Sequence, residues 1–223
     1  MIKGYLKQEI RRFFEGQSDF ENLPVSEFNG LLESIKLKRV RKGQWIFDQE
    51  DGFENVFFLK EGHVKLFSMN EEGEEGYLSF VTPKSMFPVR GILDSKEYQY
   101  NAVALCDVEL YYLPAEEMRR TIIHNYTFTI SFMKRMEKMV CYSESLLERT
   151  TSSSAKQRVK QVLEGLVEEY GQRENGIRKI PFKIFLKDLA TLSGTTSETA
   201  GTVINQMKKE KKVSYNKKII SFM

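Results

Sequence analysis

Cysteine and histidine are nearly missing from this sequence, with 2 of each in 223 residues and the cysteines far apart at Cys106 and Cys141. A disulfide framework needs a dense, paired set, and a four-cysteine zinc or iron–sulfur centre needs twice this number. Both are excluded from this chain, and with so few histidines no His/Cys metal site and no bound cofactor are expected. Long apolar runs are lacking too: no window approaches the roughly 18 uninterrupted apolar residues of a membrane-spanning helix. The segment MIKGYLKQEIRRFFEG mixes acids and bases with apolar residues and has no apolar signal-peptide core. It predicts a cytoplasmic protein that meets no membrane. No Ser-His-Asp arrangement can be placed, and no glycine-rich phosphate loop precedes a helix, so an enzyme is not expected. A chain of this length buries a core without staples, as one or two domains.

Net charge is also small, but its distribution is not even. Residues 151–223 carry 14 Lys/Arg against 7 Asp/Glu, and residues 1–150 carry 20 against 24, so a total of +3 divides into +7 and −4. A basic tail on an acidic front suggests a polyanionic partner, although a solvated lysine-rich surface gives the same count.

Local patterning divides the chain further. Residues 1–35 read as helical, with a short helix from Pro24 to Ile35 for which Ser26 is the N-cap candidate. From Leu37 to Leu113, the β-rich runs QWIF, NVFFLK, HVKLFS, YLSFV and VELYYL alternate with glycines at 43, 52, 62 and 73. That spacing predicts an antiparallel sandwich or barrel. Pro114 is placed to open a long helix over 115–149. Ile122, Tyr126, Thr129, Met133, Met136, Val140, Ser143 and Leu147 step by four and three, a heptad seam with polar interruptions at Thr129 and Ser143. The seam either packs on its own domain or joins two copies. Thr150 to Ser154 reads as a hinge, with Ser153 or Ser154 capping the next helix, Ala155–Tyr170, which Gly171 ends. A short strand is expected over Ile177–Phe182.

The last segment carries the chemistry. Leu186, Leu189, Ala190 and Leu192 predict a short helix, Ser193-Gly194-Thr195 a tight turn, and Thr196 the N-cap of a second helix over Ser197–Lys209. Ala200, Val203, Ile204 and Met207 would face inward, and Ser197, Glu198, Gly201, Thr202, Asn205 and Lys208 outward. Val213–Tyr215 and Ile219–Phe222 then form a β-hairpin wing around Asn216-Lys-Lys218. Small polar residues at the exposed start of a second helix suit insertion into a major groove, with backbone N–H groups offered to phosphate. A plain helical hairpin is the bland alternative.

With these parts in order, nearly the whole chain resembles the CRP/FNR superfamily of transcription regulators. DLATLSGTTSETAGTVI is similar to that family's L-A-x-x-x-G-x-(S/T)-x-E-T-x-(S/G)-R-x-(L/I) signature. The resemblance implies an α+β fold: a cyclic-nucleotide-binding-like β-roll sensor with N-terminal helices (1–113), a dimerisation helix (114–149), a hinge (150–154) and a winged helix-turn-helix (155–223). It implies an allosteric homodimer on double-stranded DNA, and RNA polymerase as a partner if the protein activates. Glu198 matches the base-reading glutamate, and Thr196 and Thr199 match phosphate-contacting positions. Lys187, Ser197, Thr202, Asn205 and Lys208 complete the candidate DNA contacts. The dimer seam would be Ile122, Tyr126, Met133, Met136, Val140 and Leu147. Ser197 and Thr202 stand where the family often has arginine, which puts the usual half-site in doubt. A protein of this fold that has lost sequence-specific reading, serving as a ligand-binding or protein-interaction module, is the alternative.

The sensor departs further. Cyclic-AMP binders in the family carry F-x-G-E, then R-(S/T)-A. Here stand Phe87-Pro-Val-Arg90 and Tyr98-Gln-Tyr100-Asn101-Ala102. An acid is replaced by a base and the phosphate arginine by tyrosine, so cyclic AMP is not expected to bind by the usual contacts. Phe87, Arg90, Tyr98, Tyr100 and Asn101 could instead surround an unidentified small-molecule effector, or fill the site themselves. The two cysteines exclude the iron–sulfur branch and are expected to be inert small hydrophobes. His63, expected on a surface strand, and His124, expected to face solvent, are weak candidates for a haem ligand.

Overall fold

The computed structural model describes residues 2–21 and 23–223. The chain forms two compact units, Met1–Met139 and Val140–Met223. The first opens with α1 (Ile2–Glu15) and α2 (Val25–Ser34) and continues through eight strands: β1 (Lys36–Val40), β2 (Trp45–Phe47), β3 (Asn55–Glu61), β4 (Val64–Met69), β5 (Glu75–Val81), β6 (Met86–Phe87), β7 (Asn101–Ala104) and β8 (Val108–Pro114). They form two antiparallel sheets, ordered β1-β8-β3-β6 and β2-β7-β4-β5. This is the expected β-roll. Three of its strands, β1, β6 and β7, went unread in the sequence.

β3 explains why the roll needs its helices. Successive side chains on a strand take opposite faces. Phe57 stacks inside the roll with Phe47 and Phe87, with centroids 5.6 Å away in each case. Phe58 lies on the other face, 4.8 Å from Phe14 of α1 and 5.7 Å from Phe20. Both rings are buried, because α1 and the following loop cover what would otherwise be an exposed apolar sheet face. Lys60 of β3 also pairs with Glu9 of α1 at 2.5 Å and with Glu109 of β8 at 2.6 Å, while Arg39 of β1 reaches Glu109 at 2.7 Å. Hydrogen bonds from Lys60 and Arg39 hold the Glu109 carboxyl below its usual range. Burial works against the Lys60 charge, yet its hydrogen bonds to Glu109 and Glu9 keep its pKa above the ordinary value.

Several expectations need correction. α2 is capped by Pro24, which makes no side-chain hydrogen bond to the helix, and Ser26 is already its second residue. His63 lies in the β3–β4 turn rather than on a strand, half-buried, and that burial lowers its imidazole pKa. The long helix is two helices, α3 (Ala115–His124) and α4 (Tyr126–Thr150). Asn125 between them is extended; its Oδ1 accepts the Phe128 N–H at 2.9 Å, its carbonyl accepts that of Thr129 at 2.9 Å, and its Nδ2 donates to Glu27 at 3.1 Å. It thus closes α3 and caps α4. Ile122 therefore belongs to α3 and is 3% exposed in the β-roll core, not on a seam. α4 itself buries Phe128 and Phe132, and Arg135 pairs with Asp19.

The second unit contains α5 (Ala155–Tyr170), β9 (Gln172–Glu174), β10 (Ile177–Lys179), α6 (Leu186–Ser193), α7 (Ser197–Lys209), β11 (Val213–Asn216) and β12 (Ile219–Phe222). Its strands form one antiparallel sheet, ordered β11-β12-β10-β9. The expected strand over 177–182 is shorter and has a partner, β9, joined to it through Asn175-Gly176, both at positive φ. Ser154 accepts the Gln157 N–H, as expected for a cap. Gly171 ends α5 in an extended rather than left-handed conformation. A Cβ there would lie 2.3 Å from the Val167 carbonyl oxygen, so close approach requires the glycine. The boundary between the two compact units lies between Met139 and Val140, inside α4. The reason is that the end of α4 is fastened to α5: Arg149 Nη2 donates to Glu168 at 2.6 Å and Nη1 to the Gln161 carbonyl at 3.3 Å. Among the described residues, no helix is long and apolar enough to cross a membrane.

Candidate nucleic-acid interface

α6 and α7 meet through Gly194, at φ 55° in the left-handed region, a conformation that only glycine takes without a Cβ penalty. The Thr195 N–H donates back to the Ala190 carbonyl at 3.0 Å, which closes the turn. Thr196 then caps α7: its Oγ1 accepts the Thr199 N–H at 3.2 Å. The Thr196 hydroxyl also donates to the Thr199 hydroxyl at 3.1 Å, so both are already oriented by each other.

Ala200, Val203, Ile204 and Met207 of α7 are buried against its own unit. Ser197, Glu198, Thr202, Asn205 and Lys208 are exposed, and Gly201 is half-exposed between them. α7 places these residues along one outward face, with Thr196 at its head. A Cβ on Gly201 would lie 3.4 Å from Leu186, so the small residue also seats α7 on α6. Lys187 is exposed in the first turn of α6, on a different helix from the others.

The wing is a two-residue turn at Lys217-Lys218, both at positive φ (48° and 67°). That is the geometry of a type I′ hairpin, usually built from Asn and Gly. Two lysines here accept backbone strain at the tip of the wing. Lys218 Nζ lies 3.9 Å from the Phe185 ring centroid, and the Tyr215 hydroxyl donates to the Ile184 carbonyl at 2.9 Å, so the wing is fixed to the start of α6. Lys208, Lys209, Lys211 and Lys212 at the end of α7 are exposed, and Lys212 pairs with Glu210 at 2.8 Å.

In the β-roll, the five candidate effector residues separate. Phe87, Tyr98, Tyr100 and Asn101 are buried, whereas Arg90 is exposed. Tyr98 stacks on Phe47 at 4.0 Å; its hydroxyl donates to the Asn55 carbonyl at 3.0 Å and accepts the Asn55 N–H at 3.1 Å. Burial raises its phenol pKa. Asn101 Oδ1 accepts the Gln49 N–H at 2.7 Å. Phe87 and Tyr100 also lie near the Phe47 ring, with centroids 6.3 and 6.4 Å away. A groove of about 600 Å³ opens elsewhere, bordered by Lys38, Asp51, Glu54, Phe57 and Tyr112, and only Tyr98 of the five reaches it. Cys106 is half-buried and Cys141 exposed, both as free thiols, and His124 is exposed with Nδ1 3.0 Å from the Arg120 carbonyl.

Two arginines escaped the sequence reading, Arg149 at the end of α4 and Arg158 on α5. Arg158 precedes Val162 by one helical turn, so its place at the edge of the buried stripe was visible. Its partners, 35 and 36 residues away, were not.

Residues 37–125 match the family model of the cyclic nucleotide-binding domain. The HTH-type transcriptional regulator ArcR of Staphylococcus epidermidis is 21% identical over 212 residues, covering 95% of this chain and 92% of its own. The global nitrogen regulator of Nostoc sp. is 25% identical over 91% of this chain and 89% of its own. Among solved structures, a protein of Eubacterium rectale assigned to the CRP/FNR family of transcriptional regulators superposes with a TM-score of 0.70 at 17% identity, covering 95% of this chain and 94% of that one. Residues 37–125 therefore belong to the cyclic nucleotide-binding domain family, and over nearly its full length the chain is similar to transcription regulators and shares the fold of a CRP/FNR-family protein.

Proposed function

We propose that the protein is a homodimeric, sequence-specific DNA-binding regulator of transcription that works in the cytoplasm, where the chromosome lies. The observation that carries this reading is α7: a capped helix with Ser197, Glu198, Thr202, Asn205 and Lys208 exposed on one face, inside a segment of net charge +7. Two copies would present two such helices to successive major grooves, about one helical turn apart. Glu198 would accept from a cytosine amino group. Thr196, Thr199, Lys187 and Lys208 would hold phosphate. Dimerisation would use the exposed stripe of Tyr126, Met133, Met136, Val140 and Leu147 on α4. RNA polymerase would be a further partner if the protein activates.

The test is fluorescence anisotropy with promoter-derived duplexes and a scrambled duplex, across a salt series. Preference for one sequence, with affinity falling steeply with salt, is expected. Equal binding to every duplex would overturn the reading. A second reading has one specific motive: Ser197 and Thr202 stand where the family often has arginine. A module that has lost base reading would bind duplex weakly or without salt dependence. Cyclic AMP is not the effector by the usual contacts, since Val89-Arg90 and Tyr100-Asn101 replace the residues that would hold its ribose and phosphate. Calorimetric titration with cyclic AMP should show no heat beyond dilution.

A further inference from the structure

We infer that Arg158 is a positioning residue that ties the 151–154 segment to the turn that sets α7, so that the two move together. This rests on the DNA-reading function proposed above. Arg158 Nε donates to the Ser193 carbonyl and Nη2 to the Gly194 carbonyl, each at 2.8 Å. On its other side, Nη1 donates to the Ser152 carbonyl at 2.8 Å and to the Ser153 carbonyl at 3.3 Å. One half-buried side chain thus spans two segments 40 residues apart, between α4 and α5 and between α6 and α7.

The chemistry explains why arginine does this. Ser193 and Gly194 carry carbonyls at the end of α6 that have no helical partner, and a cation there also meets the negative end of the helix dipole. A guanidinium is a rigid plane with donors along two edges, so it serves two carbonyl pairs at fixed separation; an ammonium is a point and serves one neighbourhood. Moving Ser152 and Ser153 by an ångström or more must break these bonds or shift Ser193 and Gly194. Gly194 is the residue from which the chain enters α7 through the Thr196 cap, so a shift there changes the aim of Glu198.

A second arginine removes the remaining slack. Arg149 reaches Ser145, Gln161 and Glu168, and its Nη1 would lie only 2.8 Å from a Cβ on Gly165. The glycine leaves the seat that the guanidinium occupies. The last turn of α4, the 151–154 segment, α5 and the α6–α7 turn are therefore one fastened body. Residues 150–154 act as a coupling and not as a free hinge.

The experiment compares full-length wild type with R158K, R158Q and the exposed control K156A. Hydrogen–deuterium exchange is followed at 151–155 and 193–196, with the α5 amides of Val162 and Leu163 as a check on folding. R158K and R158Q should raise exchange about tenfold or more in both segments together, while the α5 amides stay protected and K156A changes neither. On the preferred duplex they should bind at least tenfold more weakly, with the scrambled duplex unaffected. Unchanged exchange in either segment, or a rise in one alone, overturns the coupling. If wild type shows no sequence preference, the DNA-reading proposal fails, and the exchange result still decides the coupling.

Discussion

The seam on α4 allows a quantitative prediction. Leu147 is 66% exposed in the single chain. Truncation to alanine removes three carbons, worth roughly 0.8 kcal/mol each when fully buried, or about 2.4 kcal/mol. Only the part still exposed in one copy can be gained on pairing, so each Leu147 would contribute about 1.6 kcal/mol. A two-fold interface contains it twice, giving roughly 3 kcal/mol, or a 100- to 200-fold weaker dimer at 1.4 kcal/mol per tenfold. The same exposure means that the folded monomer loses little. Sedimentation equilibrium over a wide concentration range measures the dissociation constant directly. Lys138, exposed two positions past Met136 and off the stripe, provides the control. Equal weakening by Leu147→Ala and Lys138→Ala, or no weakening by Leu147→Ala, would refute pairing through this stripe.

Further expectations follow from the two units. Glu198→Ala should cost roughly 1–3 kcal/mol at one base pair and relax the preference there, whereas Lys208→Ala should weaken all duplexes alike and reduce the salt slope by about 1; anisotropy on single-substituted sites separates them. Tyr98→Phe should lower unfolding free energy by about 1 kcal/mol, because the half-buried N–H and C=O of Asn55 lose their partner; an unchanged denaturant midpoint would contradict that bond. Glu109 has a depressed pKa, so its contribution is complete above the ordinary carboxylate value of 4.5 and is lost as pH falls through the lower folded value. Glu109→Gln should therefore melt below wild type at pH 7, with the two curves converging as the pH falls below about 4.5. Curves that stay parallel to pH 3 would be inconsistent with the shift.

Where sequence patterns were local, they located the elements. The Thr196 cap, the Gly194 turn and the buried stripe of α7 all lie within fifteen residues, and periodicity specifies them. The heptad count failed at Ile122 because periodicity reports the phase of an apolar face, not its partner. α3 faces the β-roll core in the same phase in which α4 faces outward, and only Asn125 marks the change. β9 was visible in the Asn175-Gly176 dipeptide, a hairpin signal overlooked beside three exposed polar residues. The Arg158 bridge could not be read, since carbonyl oxygens carry no residue identity. The packing of Tyr98 and Tyr100 likewise depends on distant rings, Phe47 of β2 and, for Tyr98, Phe53.

That packing also bears on the signal. A ligand entering at the altered cassette must displace Tyr98 and Tyr100, which are 4% and 3% exposed. Returning two buried aromatics to water costs roughly 3–6 kcal/mol, before the exchange of the Tyr98 hydrogen bonds with water. At 1.4 kcal/mol per tenfold, the apparent affinity falls by about 10² to 10⁴, so a ligand of nanomolar intrinsic affinity would act at about 0.1 to 10 micromolar. The groove beside Lys38, Asp51 and Glu54 carries no such penalty, because no side chain has to leave it. A ligand bound in that groove would leave the cassette packed as it is.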